Sequence, residues 1–131
     1  MPALRLDTRY LSALLAVFIA MVSIGAIPGE ASALSARFGD KLLHSLAFGF
    51  MAALAHQSLR GRRMHRMIGS MLIIAMLGLI DESIQYFLPY RNASLLDWCF
   101  DIGAAFIVTS LFCLRSPSGS HMKWHVPPET H

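Results

Sequence analysis

Met67–Leu114 reads MIGSMLIIAMLGLI, then DESIQYFLPYRNASLLDWCFD, then IGAAFIVTSLFCL. Two uncharged runs, Met67–Ile80 and Ile102–Leu114, enclose a segment carrying Asp81, Glu82, Gln85, Arg91, Ser94, Asp97 and Asp101. Neither run carries a charge, as in membrane helices, so the acids between them lie at or inside a membrane boundary. An ionised side chain at mid-bilayer costs roughly 2.5–3.5 kcal/mol on insertion scales, and acids kept at that depth mark a candidate site.

Outward from this stretch, the composition agrees. Of the 131 residues 55% are apolar and only 15% charged, against about 25% charged in an ordinary soluble domain. The apolar residues fall into four blocks, Tyr10–Ile27, Leu42–Leu59, Met67–Leu88 and Leu95–Leu114. Each is near the ~20 residues that cross a ~30 Å hydrocarbon core, and the second is the least apolar. The expected fold is all-α, a four-helix transmembrane bundle forming one domain over residues 1–115, with a flexible cytoplasmic tail over 116–131.

Basic residues set the orientation. Arg5, Arg9, Arg60, Arg62, Arg63, Arg66, Arg115 and Lys123 are eight of the eleven, and all lie on one side of the four-block arrangement. The positive-inside rule makes that side cytoplasmic, so both termini are inside and the Pro28–Lys41 and Pro89–Ser94 loops outside. The net charge of +3 then reflects topology, and nucleic acid is not among the expected partners. The first block has a rival reading as a signal peptide, with Arg5 and Arg9 before it and Ala31-Ser32-Ala33 after it. Its length exceeds the ~7–15 apolar residues of a usual signal core. Cys99 and Cys113 are 14 residues apart on one predicted helix, about 21 Å, too far to pair with each other.

The helical spacing gathers polar groups at one depth. Fourteen residues from Met67 to Ile80 climb about 21 Å and bring Asp81 into the outer third of the bilayer. Asp81 and Gln85 share a face; Asp97 and Asp101 share another, as do Asp40 and His44 with Lys41 beside them. Pro89 ends the third helix, Ser94 stands where the fourth would be capped, and Arg91 hangs in the loop between them, suited to carboxylates or to phosphate. Asn92-Ala93-Ser94 also fits a glycosylation sequon by chance.

Asp40-Lys41-x-x-His44, followed by Asp81-Glu82-x-x-Gln85-x-x-x-Pro89-x-Arg91-x-x-Ser94-x-x-Asp97, resembles the VanZ-like family of small bacterial membrane proteins. The resemblance covers about Gly39 to Phe106. It implies a multi-helix protein of the bacterial cytoplasmic membrane and cell envelope, with a founding member linked to resistance to the glycopeptide teicoplanin. The chain departs from the pattern at Asp101, where the family more often has Asn, and at Ala104, where it usually has Gly.

Three functions fit these residues. One is a binding protein whose outward-facing pocket takes a lipid-linked envelope precursor or lipid head group through Lys41, Gln85, Arg91, Ser94 and Asp101. The second is a membrane hydrolase or transferase in which His44, Asp81, Glu82 and Asp97 are acid/base groups or carboxylate ligands of a divalent ion. The third is a proton-coupled carrier, against which stands the lack of acids in the inner half of any block. No His-Glu-x-x-His motif and no glycine-rich phosphate loop occurs, so cofactor and metal stay open. His121, His125 and His131 are read as solvated tail histidines.

Overall fold

The computed structural model describes residues 5–28, 39–91 and 93–115. Four helices form one bundle: α1 Thr8–Gly25, α2 Asp40–Ser58, α3 Arg63–Tyr86 and α4 Leu95–Arg115. Three of them, α1, α3 and α4, are long and apolar enough to cross a membrane. The tail with its three histidines, Asn92 of the sequon, and Ala31-Ser32-Ala33 lie outside the described residues.

The helix boundaries follow local chemistry. The Asp7 carboxylate accepts from the Arg9 backbone N–H at 3.2 Å, capping α1. Gly39 precedes α2 with φ +83°, a left-handed conformation that side chains on Cβ disfavour. Arg63 and Arg66 belong to the first turns of α3 rather than to a loop before it. At the other end, Pro89 lies just beyond Tyr86, the last residue of α3.

α2, expected as a fourth span, is the central helix: it packs against α1, α3 and α4. That position explains its lower apolarity, because faces that meet protein tolerate the polar and small residues that lipid excludes. It supplies Phe48, Met51, Ala52 and Ala55 to the core, against Leu14 and Phe18 of α1, Ile74 of α3 and Ala105 of α4. Small residues bring the helices close. A Cβ on Gly49 would stand 3.8 Å from Ala104 Cβ, and one on Gly78 would stand 3.0 Å from Trp98 Cδ1. Leu15, Ile19, Phe50, Leu72, Met76 and Ile107 remain exposed, as expected of a surface facing lipid hydrocarbon rather than water.

One feature departs from the all-α expectation. Arg5–Leu6 (β1) pairs antiparallel with Leu59–Arg60 (β2), a two-residue clasp that is too short to carry a sequence pattern. The Asp7 N–H donates to Ser58 C=O at 2.7 Å, and Arg60 donates to the Asp7 carboxylate at 2.8 Å. The clasp ties the start of α1 to the α2–α3 link. The Arg60 guanidinium holds the Asp7 carboxyl below its ordinary value of 3.8.

Candidate functional site

Two helix faces carry the polar residues. On α3 the buried positions are Ser70, Ile74, Gly78, Asp81, Glu82 and Gln85, a stripe at three- and four-residue steps. On α4 they are Asp97, Asp101, Ala105 and Thr109, one residue per turn. Both stripes change from small or apolar to acidic toward the same end, where α2 begins with Asp40.

At that end the groups pair across helices. Asp101, with no exposed surface, sets its Oδ1 3.5 Å from His44 Nδ1. Asp97 accepts from Lys41 Nζ at 3.0 Å, while the ammonium group stands over the Phe100 ring at 5.4 Å. Glu82 accepts from the Ser94 backbone N–H at 2.5 Å, which fixes the loop just before α4. Trp98 donates its indole N–H to Ala75 C=O at 2.9 Å and fills the space left by Gly78. Within α3, Gln85 donates to Asp81 at 2.8 Å. Among the described residues, Glu82 Oε1 is buried without a hydrogen-bond partner.

Beside this seam lies a cleft of about 400 Å³. Its walls are apolar: Val17, Ala20, Met21 and Ile24 from α1, Leu43 and Ala47 from α2, Ile84 and Leu88 from α3 and the turn after it. Its polar lining is His44, Asp81, Gln85 and Arg91. A cleft of this size, apolar with a few convergent polar groups, has the character of a small-molecule pocket.

The expected site residues therefore divide. His44, Asp81, Gln85 and Arg91 come together in the cleft lining. Lys41, Glu82, Ser94, Asp97 and Asp101 belong to the seam between α2, α3 and α4, and His44 is common to both. Arg91, expected to suit carboxylates or phosphate, does not pair with Asp97; Lys41 is that acid's ion-pair partner. Among the described residues the Arg91 guanidinium has no ion pair. Ser94 acts through its backbone at the start of α4, its carbonyl accepting from Asp97 N–H at 3.0 Å. Among the described residues no group of three His, Cys, Asp or Glu is arranged to hold a metal ion.

Sequence reasoning missed Trp98, Gly78 and the α1 wall. Of these Gly78 carried a signal, since it is in register with Asp81, Glu82 and Gln85. It also missed a second polar layer at the opposite end, His56, Ser58, Ser70 and Thr109, all buried. These hydroxyls bond to carbonyls of their own helices: Ser58 to Ala55, Ser70 to Arg66 and Thr109 to Ala105, at 2.6–2.8 Å. His56 stacks on Phe112 with ring centroids 5.2 Å apart. This layer is packing, with its hydroxyls satisfied locally.

A family model described as VanZ/LLP1 matches residues 5–116. No curated relative and no solved structure matches the chain.

Proposed function

The chain belongs to the VanZ/LLP1 family, and on that premise we propose that it is a multi-pass protein of the bacterial cytoplasmic membrane whose cleft binds a phosphate-bearing lipid head group or lipid-linked envelope precursor. Three apolar helices support the membrane placement. Arg9, Arg60, Arg62, Arg63 and Arg66 lie at the end opposite the cleft's polar groups, which supports a cytoplasmic clasp and an outward-facing pocket.

The observation that carries the reading is Arg91. It lines an apolar-walled cleft without an ion-pair partner among the described residues, and a guanidinium so placed is a two-point donor for phosphate. Glycopeptides such as teicoplanin act on the envelope, so occupancy of the cleft by a precursor is the route by which the protein would alter susceptibility.

A second reading has one specific observation in its favour. His44 stands against the Asp101 carboxylate and also lines the cleft beside Asp81. A carboxylate-oriented histidine next to a second acid is the arrangement of a general base, and it fits a hydrolase or transferase acting on the same lipid.

Arg91→Ala and Glu82→Gln proteins at matched membrane levels separate the readings. Binding of a polyprenyl-phosphate precursor should fall about tenfold or more with Arg91→Ala, since charge-assisted contacts to phosphate are the strong ones. Glu82→Gln should bind like the parent, because Glu82 is outside the cleft lining and Gln still accepts from Ser94. Unchanged precursor binding by Arg91→Ala would refute Arg91 as the phosphate contact and with it the cleft-binding reading. Retained binding by His44→Gln with complete loss of the change in teicoplanin susceptibility would replace it with the enzyme.

A further inference from the structure

α1 packs against α2 and makes few contacts with α3 or α4, yet α1 and α3 both line the cleft. The cleft is therefore a slot between α1 and α3, floored by α2. Ties hold α1 near its two ends. At the inner end these are the β1–β2 clasp and the Asp7–Arg60 pair; at the outer end the Tyr90 hydroxyl donates to Ala26 C=O. Between the ties, Val17, Ala20, Met21 and Ile24 turn one face of α1 toward the slot, and two turns of helix give it a length of about 10 Å. Both flanking helices otherwise present apolar side chains outward, such as Ile19 and Met76, so the slot adjoins the surface that meets hydrocarbon.

A slot with one charged end and two apolar turns is complementary to an amphiphile, not to a free anion. Phosphate alone would leave the α1 wall uncovered, and a hydrocarbon alone would cover the polar end at Arg91 and Asp81 without offering either a partner, which is costly. At about 400 Å³ the cleft sits near the small end of ligand pockets, matching a head group and part of one chain. We propose that the slot is a lateral port: it takes a single anionic amphiphile from the outer leaflet between α1 and α3, seats the head at Arg91 and lays the upper part of one chain along Val17–Ile24. This rests on the phosphate-binding reading above and adds the route and the chain.

The test uses the full chain in phosphatidylcholine vesicles with trace phosphatidylglycerol carrying a photoreactive group on one acyl chain, and maps adducts by mass spectrometry. Adducts are expected on the α1 wall and on Ile84 or Leu88, above those at the outward-facing Leu72 and Met76. Ala20→Trp fills the slot from an exposed position and should reduce the slot adducts about tenfold, while Ala20→Ser, which keeps it open, should not. Excess unlabelled phosphatidylglycerol should compete, and glycerol 3-phosphate at the same concentration should not. Slot adducts no stronger than those at Leu72 and Met76, or unchanged by Ala20→Trp, would mean boundary lipid only and overturn the port. Competition by glycerol 3-phosphate would likewise overturn it, in favour of a free-phosphate site. If Ala20→Trp empties the slot but Arg91→Ala leaves its adducts unchanged, the port stands and the phosphate reading falls.

Discussion

The seam between α2, α3 and α4 and the cleft beside α1 sit at the same end of the bundle and share His44, yet they treat polar groups in opposite ways. In the seam, charges meet partners: Asp101 has His44, Asp97 has Lys41 and Glu82 has the Ser94 N–H. In the cleft, Arg91 has no ion-pair partner among the described residues, although Gln85 donates to Asp81 beside it. A polar group that is paired across helices fixes their relative position, and one that is not is available to something else. The acid-rich motif therefore does two jobs, and proximity in sequence does not say which residue does which: Asp81 and Glu82 are neighbours, and only Asp81 lines the cleft.

The sharpest way to break this division is to remove Asp101. Its carboxylate is fully buried against His44, so Asp101→Ala should destabilise the protein by about 3 kcal/mol, the scale for stripping one member from a buried pair. Asp101→Asn keeps an acceptor toward His44 and should cost less than about 1 kcal/mol. Denaturant titration in mixed micelles measures both. Equal losses would mean that charge, not hydrogen bonding, holds the seam.

Gly78→Ala probes the same seam through packing. The added Cβ would meet Trp98 Cδ1 at 3.0 Å and Asp101 Oδ2 at 3.2 Å, and the Trp98 ring is held there by its bond to Ala75 C=O. Overpacking of this kind costs about 1–3 kcal/mol, read in the same titration. Arg91→Ala should by contrast change stability by no more than about 0.5 kcal/mol while removing lipid binding. A large stability loss there would move Arg91 from the cleft into the seam.

The particular residues explain how much of this the sequence could tell. The acidic ends of the α3 and α4 stripes were readable because helical spacing turns sequence separation into a shared face: Asp81 with Gln85, Asp97 with Asp101. The four helices were readable because each apolar block has the length of a span. Three features were not. Lys41 rather than Arg91 meets Asp97, since spacing cannot say which way a loop arginine turns. The α1 wall was hidden because a helix apolar on every side carries no mark of the face that meets protein, lipid or slot. The clasp of Arg5–Leu6 with Leu59–Arg60 is two residues long, below any periodicity.

Lys41 and Asp97 give a smaller effect. Lys41 is 52% exposed, so the double-mutant cycle Lys41→Met with Asp97→Asn should show a coupling of only about 0.5–1 kcal/mol, falling with added salt. A coupling as large as the loss expected from Asp101→Ala would show that the rim of the seam is as dry as its centre.

The smallest effect is expected at the clasp, far from both regions. Arg60, hydrogen-bonded to the Asp7 carboxylate, keeps its folded pKa below the ordinary 3.8. A carboxyl depressed by folding contributes above its unfolded pKa, and the contribution is lost as pH falls through the folded value. The clasp should therefore be insensitive to pH from neutrality down to about pH 5, one unit above the ordinary carboxylate range, and loosen only in stronger acid. Hydrogen exchange at the Asp7 amide, which donates to Ser58 C=O, reports this directly. Asp7→Asn should speed that exchange at neutral pH and flatten its acid dependence, leaving Trp98 indole exchange in the seam unchanged. If the Trp98 signal moved together with Asp7, the inner tie of α1 and the polar seam would be one cooperative unit, and the independence of the two regions would be lost.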